Sequence, residues 1–195
     1  MDIGIALFEN VEELDFAGPW EVLSYWARVW PDDQVSVFTV ATDLTAVHCA
    51  KGLRVLADRT WEQTPVLDVL VYPGGRGTRA QLDPENPIHA RLRRLAAAGT
   101  LMTSVCTGSL VFAAAGLLHD RPATTYWDSL QRLAELDPTI ELRPQDRFVD
   151  SGEVITAAGV SAGIDMALHL VARLHSVERA REVRRGIQYD PEPPV

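Results

Sequence analysis

A doubly wound α/β fold, with a mainly parallel sheet and helices on both faces, is what this sequence predicts. Two observations carry that expectation. Short apolar runs such as Leu67 to Tyr72 and Leu101 to Val105 have the length and composition of strands buried on both faces. Between such runs lie stretches whose apolar residues recur at helical spacing, and strands that alternate with helices in this way build parallel sheets. At 195 residues the chain fits one domain, residues 1–195, with a core of its own.

Taken in order, Ile3 to Phe8 reads as the first strand, followed by the acidic loop Val11-Glu12-Glu13-Leu14-Asp15-Phe16-Ala17-Gly18. Pro19 suits the first turn of the next helix, where its missing N–H costs nothing. Val22, Tyr25, Trp26 and Val29 supply that helix with an apolar face. Asp15 would then sit in the loop before the helix, on the sheet edge where ligands bind in open α/β folds. A helix cap or a merely solvated carboxylate is the plainer reading.

Val35 to Val40 alternates as a strand, and Val47 to Leu56 forms a hairpin or paired strands around Lys51-Gly52. His48 and Cys49, in that hairpin, have no metal-ligand spacing near them and read as structural. The strand Leu67 to Tyr72 ends in Pro73-Gly74-Gly75-Arg76-Gly77. Glycines there would let bare amides approach a developing negative charge, although a simple tight turn fits equally well. Asp83 to Pro87 starts a helix with Ile88, Leu92, Leu95 and Ala96 on its core face, and Gly99 closes it.

The strand Leu101 to Val105 runs into Cys106-Thr107-Gly108-Ser109 and then a helix whose apolar face is Leu110, Ala113, Ala114 and Leu117. A thiol on such a strand-to-helix turn meets the unpaired N–H groups of the helix, which favour thiolate. Gly108 and Ser109 would leave room above the sulfur. The local sequence serves a buried core cysteine equally well. Further on, Pro122 to Asp128 gives way to a helix from about Ser129 to Leu136, and Phe148 to Ala157 forms a hairpin turning at Ser151-Gly152. Ala158 to Asp165 opens the last long helix, with Ile164, Ala167, Leu168 and Val171 buried. His169 and His175 on it do not share a face. Glu178 to Arg185 is a solvated helix face and Asp190 to Val195 an extended tail.

A net charge of −9 argues against nucleic acid or an anionic membrane as partner. The start of the chain has neither the basic residues nor the long apolar run of a signal peptide, and two cysteines make no disulfide framework. A cytoplasmic location is expected.

In the expected parallel sheet Asp15, the Gly74-Gly75 loop and Cys106 would all emerge at carboxyl ends of strands. The four stretches Glu13 to Pro19, Pro73 to Gly77, Ser104 to Ser109 and Gly159 to Asp165 together resemble the ThiJ/PfpI superfamily, which is related to class I glutamine amidotransferases. The resemblance runs from the first strand to Gln188-Tyr189 and is strongest toward isonitrile hydratase-like members. It implies a flavodoxin-like fold, a homodimer, a small-molecule substrate and no metal or organic cofactor. It also implies that Cys106 is the nucleophile and Asp15 its carboxyl partner, with Thr107 and the Gly74 and Gly75 amides around the intermediate. Tyr126 stands where relatives commonly carry a histidine after Ala123-Thr124-Thr125. A phenol, with a pKa of about 10, is a poor base, which weighs against Cys–His hydrolase chemistry. Tyr126 and Arg76 would set the size and polarity of the pocket. The implied reaction is addition of water to an isonitrile through a Cys106 thioimidate. A glutathione-independent glyoxalase or deglycase, and a ligand- or redox-sensing module, are the other readings.

Overall fold

The computed structural model describes residues 1–64 and 66–192, so the tail expected through Val195 falls partly outside the described residues. In chain order the elements are β1 (Asp2–Ala6), α1 (Glu13–Val29), β2 (Ser36–Ala41), β3 (Val47–His48), β4 (Arg54–Val55), β5 (Arg59–Thr60) and β6 (Val69–Tyr72). Then follow α2 (Pro87–Ala97), β7 (Leu101–Val105), α3 (Gly108–Ala114), β8 (Pro122–Ala123), α4 (Leu130–Leu136), β9 (Glu141–Leu142), β10 (Phe148–Asp150), β11 (Val154–Ala157), α5 (Ala162–Leu174) and α6 (Val177–Gly186). A 3-10 helix, Arg76–Leu82, follows β6.

One seven-stranded sheet in the order β10-β11-β7-β6-β1-β2-β5 forms the centre. All its neighbours are parallel except β10 on β11. The chain leaves β1 toward β2 and later returns to its other side with β6. That reversal makes the flavodoxin-like switch point, and ligands bind at the carboxyl ends of strands flanking it. The hairpin β3-β4 and the pair β8-β9 stand apart from this sheet.

The strands read as unbroken apolar runs because both faces are covered. Ile3, Ile5, Val69 and Val71 belong to a core shared with α1, α5 and α6, whereas Ala6, Val40, Leu70 and Tyr72 belong to a core shared with α2, α3 and α4. Adjacent residues point to opposite faces, so one strand feeds both layers.

Three boundaries differ from expectation. First, α1 begins at Glu13, so Pro19 lies inside it and Asp15 is in its first turn rather than in a preceding loop. The N–H that Pro19 lacks would have bonded the Asp15 carbonyl, so the helix gives up one bond just above the site. Second, α3 ends at Ala114, and Leu117 lies beyond it. Leu110, Val111, Phe112 and Ala113 are all buried, because this helix is enclosed rather than one-faced. Third, α5 begins at Ala162, after a turn through Gly159, Val160 and Ser161. Its buried residues are centred on Gly163, Met166, Ala167, Leu170 and Val171, with Ile164 and Leu168 at the margin. The hairpins at Lys51-Gly52 and Ser151-Gly152 form as expected. His169 pairs with Asp150 at 2.7 Å and His175 with Asp33 at 3.3 Å, both as packed surface histidines.

Candidate active site

Asp15, the Gly74-Gly75 turn and Cys106 do meet, at the carboxyl ends of β1, β6 and β7. Cys106 follows β7 directly and has φ +56°, in the left-handed region that a non-glycine residue adopts at a cost. Hydrogen bonds on both sides hold it there. Its N–H donates to the carbonyls of Ala157 and Ala158 at 3.1 and 3.0 Å. Its carbonyl accepts from the Thr125 hydroxyl at 2.9 Å and the Ser109 hydroxyl at 3.0 Å. Ser109, expected to leave empty space, is instead fully buried and fixes the turn.

Asp15 is completely buried beside the sulfur. Its Oδ2 accepts the Gly74 N–H at 2.9 Å. Its Oδ1 has no oxygen or nitrogen partner among the described residues and is left for the Cys106 thiol. Burial raises the Asp15 carboxyl to about 7, against the opposing pull of the Gly74 N–H and the thiol. Burial, and then the Asp15 charge, push the Cys106 thiol up to about 12, although the backbone N–H groups of Thr107 and Val160 favour its anion. The N–H groups expected to favour the thiolate do so, but desolvation and the neighbouring carboxylate outweigh them. The Asp15 charge thus favours the protonated thiol, and the thiol hydrogen bond in turn favours the carboxylate.

The glycine turn also departs from expectation. The Gly74 N–H is taken by Asp15, and the Gly75 N–H donates to Thr107 Oγ1 at 3.0 Å. Neither amide is free to receive charge from a substrate. A Cβ on Gly74 would lie 2.5 Å from the Thr107 nitrogen and 2.9 Å from Asp15 Oδ2, so only glycine lets this turn brace both partners. The Thr107 hydroxyl is likewise engaged, lying 3.1 Å from Thr78 Oγ1. Thr107 meets the sulfur through its backbone N–H, not its hydroxyl.

Val160 is the residue that sequence reasoning missed. It has φ +48°, unusual for a β-branched residue, and this turns its N–H toward the sulfur. Gly159 precedes it because a Cβ there would lie 2.5 Å from the Tyr126 ring. The stretch Gly159-Val160 was visible in the sequence, but nothing in a valine announces positive φ.

A cavity of about 540 Å³ opens over the sulfur. Cys106, Thr107, Val160 and Tyr126 form its floor and side, and Gly75 and Arg76 also line it. Gly74 and Asp15 do not line it. Of the residues expected to touch substrate, Gly75, Arg76 and Tyr126 line the cavity, whereas Gly74 bonds Asp15. The arrangement sets beside one cavity a thiol, a buried carboxyl hydrogen-bonded to it, and two backbone N–H groups that favour its anion.

Residues 1–173 match the DJ-1/PfpI family. The chain is 40% identical to an isonitrile hydratase from Pseudomonas putida over all of its own length and 81% of that enzyme's. It is also 26% identical, over 96% of its length, to the transcriptional regulator GbdR of Pseudomonas aeruginosa, of which it spans 50%. Among solved structures, a ThiJ/PfpI family protein from Pseudomonas syringae superposes with a TM-score of 0.87 at 30% identity, covering all of this chain and 77% of the other.

Proposed function

Since the chain belongs to the DJ-1/PfpI family and pairs a buried cysteine with a buried aspartic acid, we propose that it hydrates isonitriles to N-substituted formamides. The observation that carries this reading is the fully buried Asp15 carboxyl, whose Oδ1 is left for the Cys106 thiol, beside a cavity with no histidine among its described lining residues. Isonitrile hydration needs a nucleophile and one proton delivered to the same carbon, and this pair supplies both. The 40% identity to an isonitrile hydratase supports the same conclusion.

In the first step the Cys106 sulfur uses its electron pair to bond the terminal carbon of R–N≡C. The thiol proton, held by Asp15, moves to that carbon, giving the thioimidate R–N=CH–S–Cys106. Water then adds across the C=N bond to give R–NH–CH(OH)–S–Cys106. The carbon–sulfur bond breaks, the hydroxyl proton passes to the Asp15 and Cys106 pair, and R–NH–CHO leaves. The N–H groups of Thr107 and Val160 stabilise the departing sulfur anion. Asp15 works well here because burial keeps its pKa near 7, so it both accepts and returns the proton.

The cytoplasmic homodimer acting on a small molecule belongs to the same reading. Similarity to GbdR supports a ligand-sensing module as the second reading. The two separate on formamide production: the purified protein, given a simple alkyl or aryl isonitrile, should release the formamide, and Cys106→Ala should release none. Tight binding of isonitriles without turnover would establish the sensing module instead.

A further inference from the structure

The 3-10 helix Arg76–Leu82 forms one wall of the cavity, and its geometry decides what that wall presents. With three residues per turn, side chains at i, i+3 and i+6 lie in one row. In this helix the row is Arg76, Arg79 and Leu82, and all three line the cavity. Both arginines are exposed, and neither makes an ion pair or a side-chain hydrogen bond among the described residues.

The other charges at the cavity are differently placed. Lys51 is paired with Glu12 and Glu13, and Arg132 with Glu135. Asp128 is the one further carboxylate lining the cavity, against two arginines. The cavity is therefore locally cationic in a chain whose net charge is −9. An acidic protein that places two aligned, unpaired guanidinium groups over its nucleophile has a site suited to a bidentate anion. Leu82, Leu110 and Tyr126 add apolar surface to the same cavity.

Resting on the hydratase reading for the reaction, we infer that the preferred substrate is an isonitrile carrying a carboxylate, with Arg76 and Arg79 as its specificity-determining residues. The isonitrile carbon meets Cys106, the body lies along Leu82, Leu110 and Tyr126, and the carboxylate reaches the arginine row.

The test compares para-isocyanobenzoate with para-isocyanobenzamide, which differ in charge and little in shape. The wild-type ratio of kcat/KM, carboxylate over amide, should be roughly tenfold or more, as expected for charge-assisted hydrogen bonds to two arginines. It should shrink with added salt and approach one in Arg76→Gln/Arg79→Gln, with each single variant between. A ratio near one in the wild type, or one that survives the double substitution, would overturn the inference. A second readout is independent of turnover: calorimetric binding of para-formamidobenzoate and its amide to the Cys106→Ala protein. If no isonitrile is hydrated but the carboxylate still binds in an arginine-dependent way, the anion site stands and the hydratase reading falls. If the carboxylate binds no better than the amide, the anion site falls whatever the turnover.

Discussion

Cys106 and Cys49 are almost equally buried, at 6% and 5% exposure, and carboxylates lie near both. Burial and negative charge raise the pKa of each thiol, with Glu13 and Glu9 acting on Cys49 as Asp15 acts on Cys106. Yet their surroundings differ. It sits at the carboxyl end of a central strand, in a left-handed conformation, with two backbone N–H groups at its sulfur and a cavity above it. Cys49 sits in the β3-β4 hairpin, where its N–H and carbonyl serve the turn through Leu53 and Gly52, and it lines no part of that cavity. Neither burial nor the direction of the pKa shift distinguishes the two thiols. Backbone conformation and position on the sheet do.

The largest expected effect removes the partner that Cys49 lacks. Asp15→Asn keeps an acceptor for the Gly74 N–H but cannot take the thiol proton. Formamide production should fall by roughly a thousandfold, the range of a general acid–base group. In the wild type kcat/KM should rise through about pH 7 as Asp15 ionises, and the variant should lose that inflection. Stability should move the other way. The folded-state pKa of Asp15 lies above its ordinary 3.8, so the stability it contributes is fully present below about pH 4 and is lost as pH rises through 7. Above pH 7 Asp15→Asn should therefore unfold at higher denaturant, by on the order of a few kcal/mol, and the advantage should vanish near pH 4. A variant that is inactive and no more stable at pH 8 would refute the buried-charge account.

Much of this contrast was legible in the sequence. The central strands announced themselves because residues buried on both faces form continuous apolar runs, and that placed Asp15, Gly75 and Cys106 on one edge. The helix start was misread because Pro19 usually opens a helix; here it occupies the interior, and the bond it forfeits belongs to Asp15. The net acidity of Cys106 was not legible because desolvation depends on what the rest of the chain packs around a thiol, which no local motif records. Val160 escaped because positive φ in a β-branched residue is imposed by its surroundings, not preferred by its side chain. The arginine row escaped because a period of three residues is not the amphipathic period that marks an α-helix.

A middle-sized effect should come from the support of the second N–H. In Gly159→Ala the new methyl would press on the Tyr126 ring, and the neighbouring Val160 N–H would shift from the sulfur. Turnover should fall roughly tenfold, less than the loss of a full oxyanion-hole donor, while the overpacking costs about 1–3 kcal/mol of stability. The informative readout is kcat against KM for a neutral isonitrile. A poorer leaving sulfur lowers kcat, whereas a merely deformed pocket raises KM alone, and the latter result would remove Val160 from the mechanism.

The smallest effect on activity should come from the other cysteine. Cys49→Ala deletes a sulfur packed in the core shared by α1, β1 and the hairpin, so it should cost about 1 kcal/mol of stability as a small cavity forms. Formamide production should stay within roughly twofold of the wild type, as for a substitution that touches neither nucleophile nor pocket. Denaturant unfolding and the activity assay, run on the same preparation, measure both. The hairpin does reach the cavity at one point, because Lys51 lines it and is held by Glu12 and Glu13. If Cys49→Ala lowered activity more than stability, Cys49 would be acting through Lys51, and the two thiols would differ in distance from the chemistry rather than in kind.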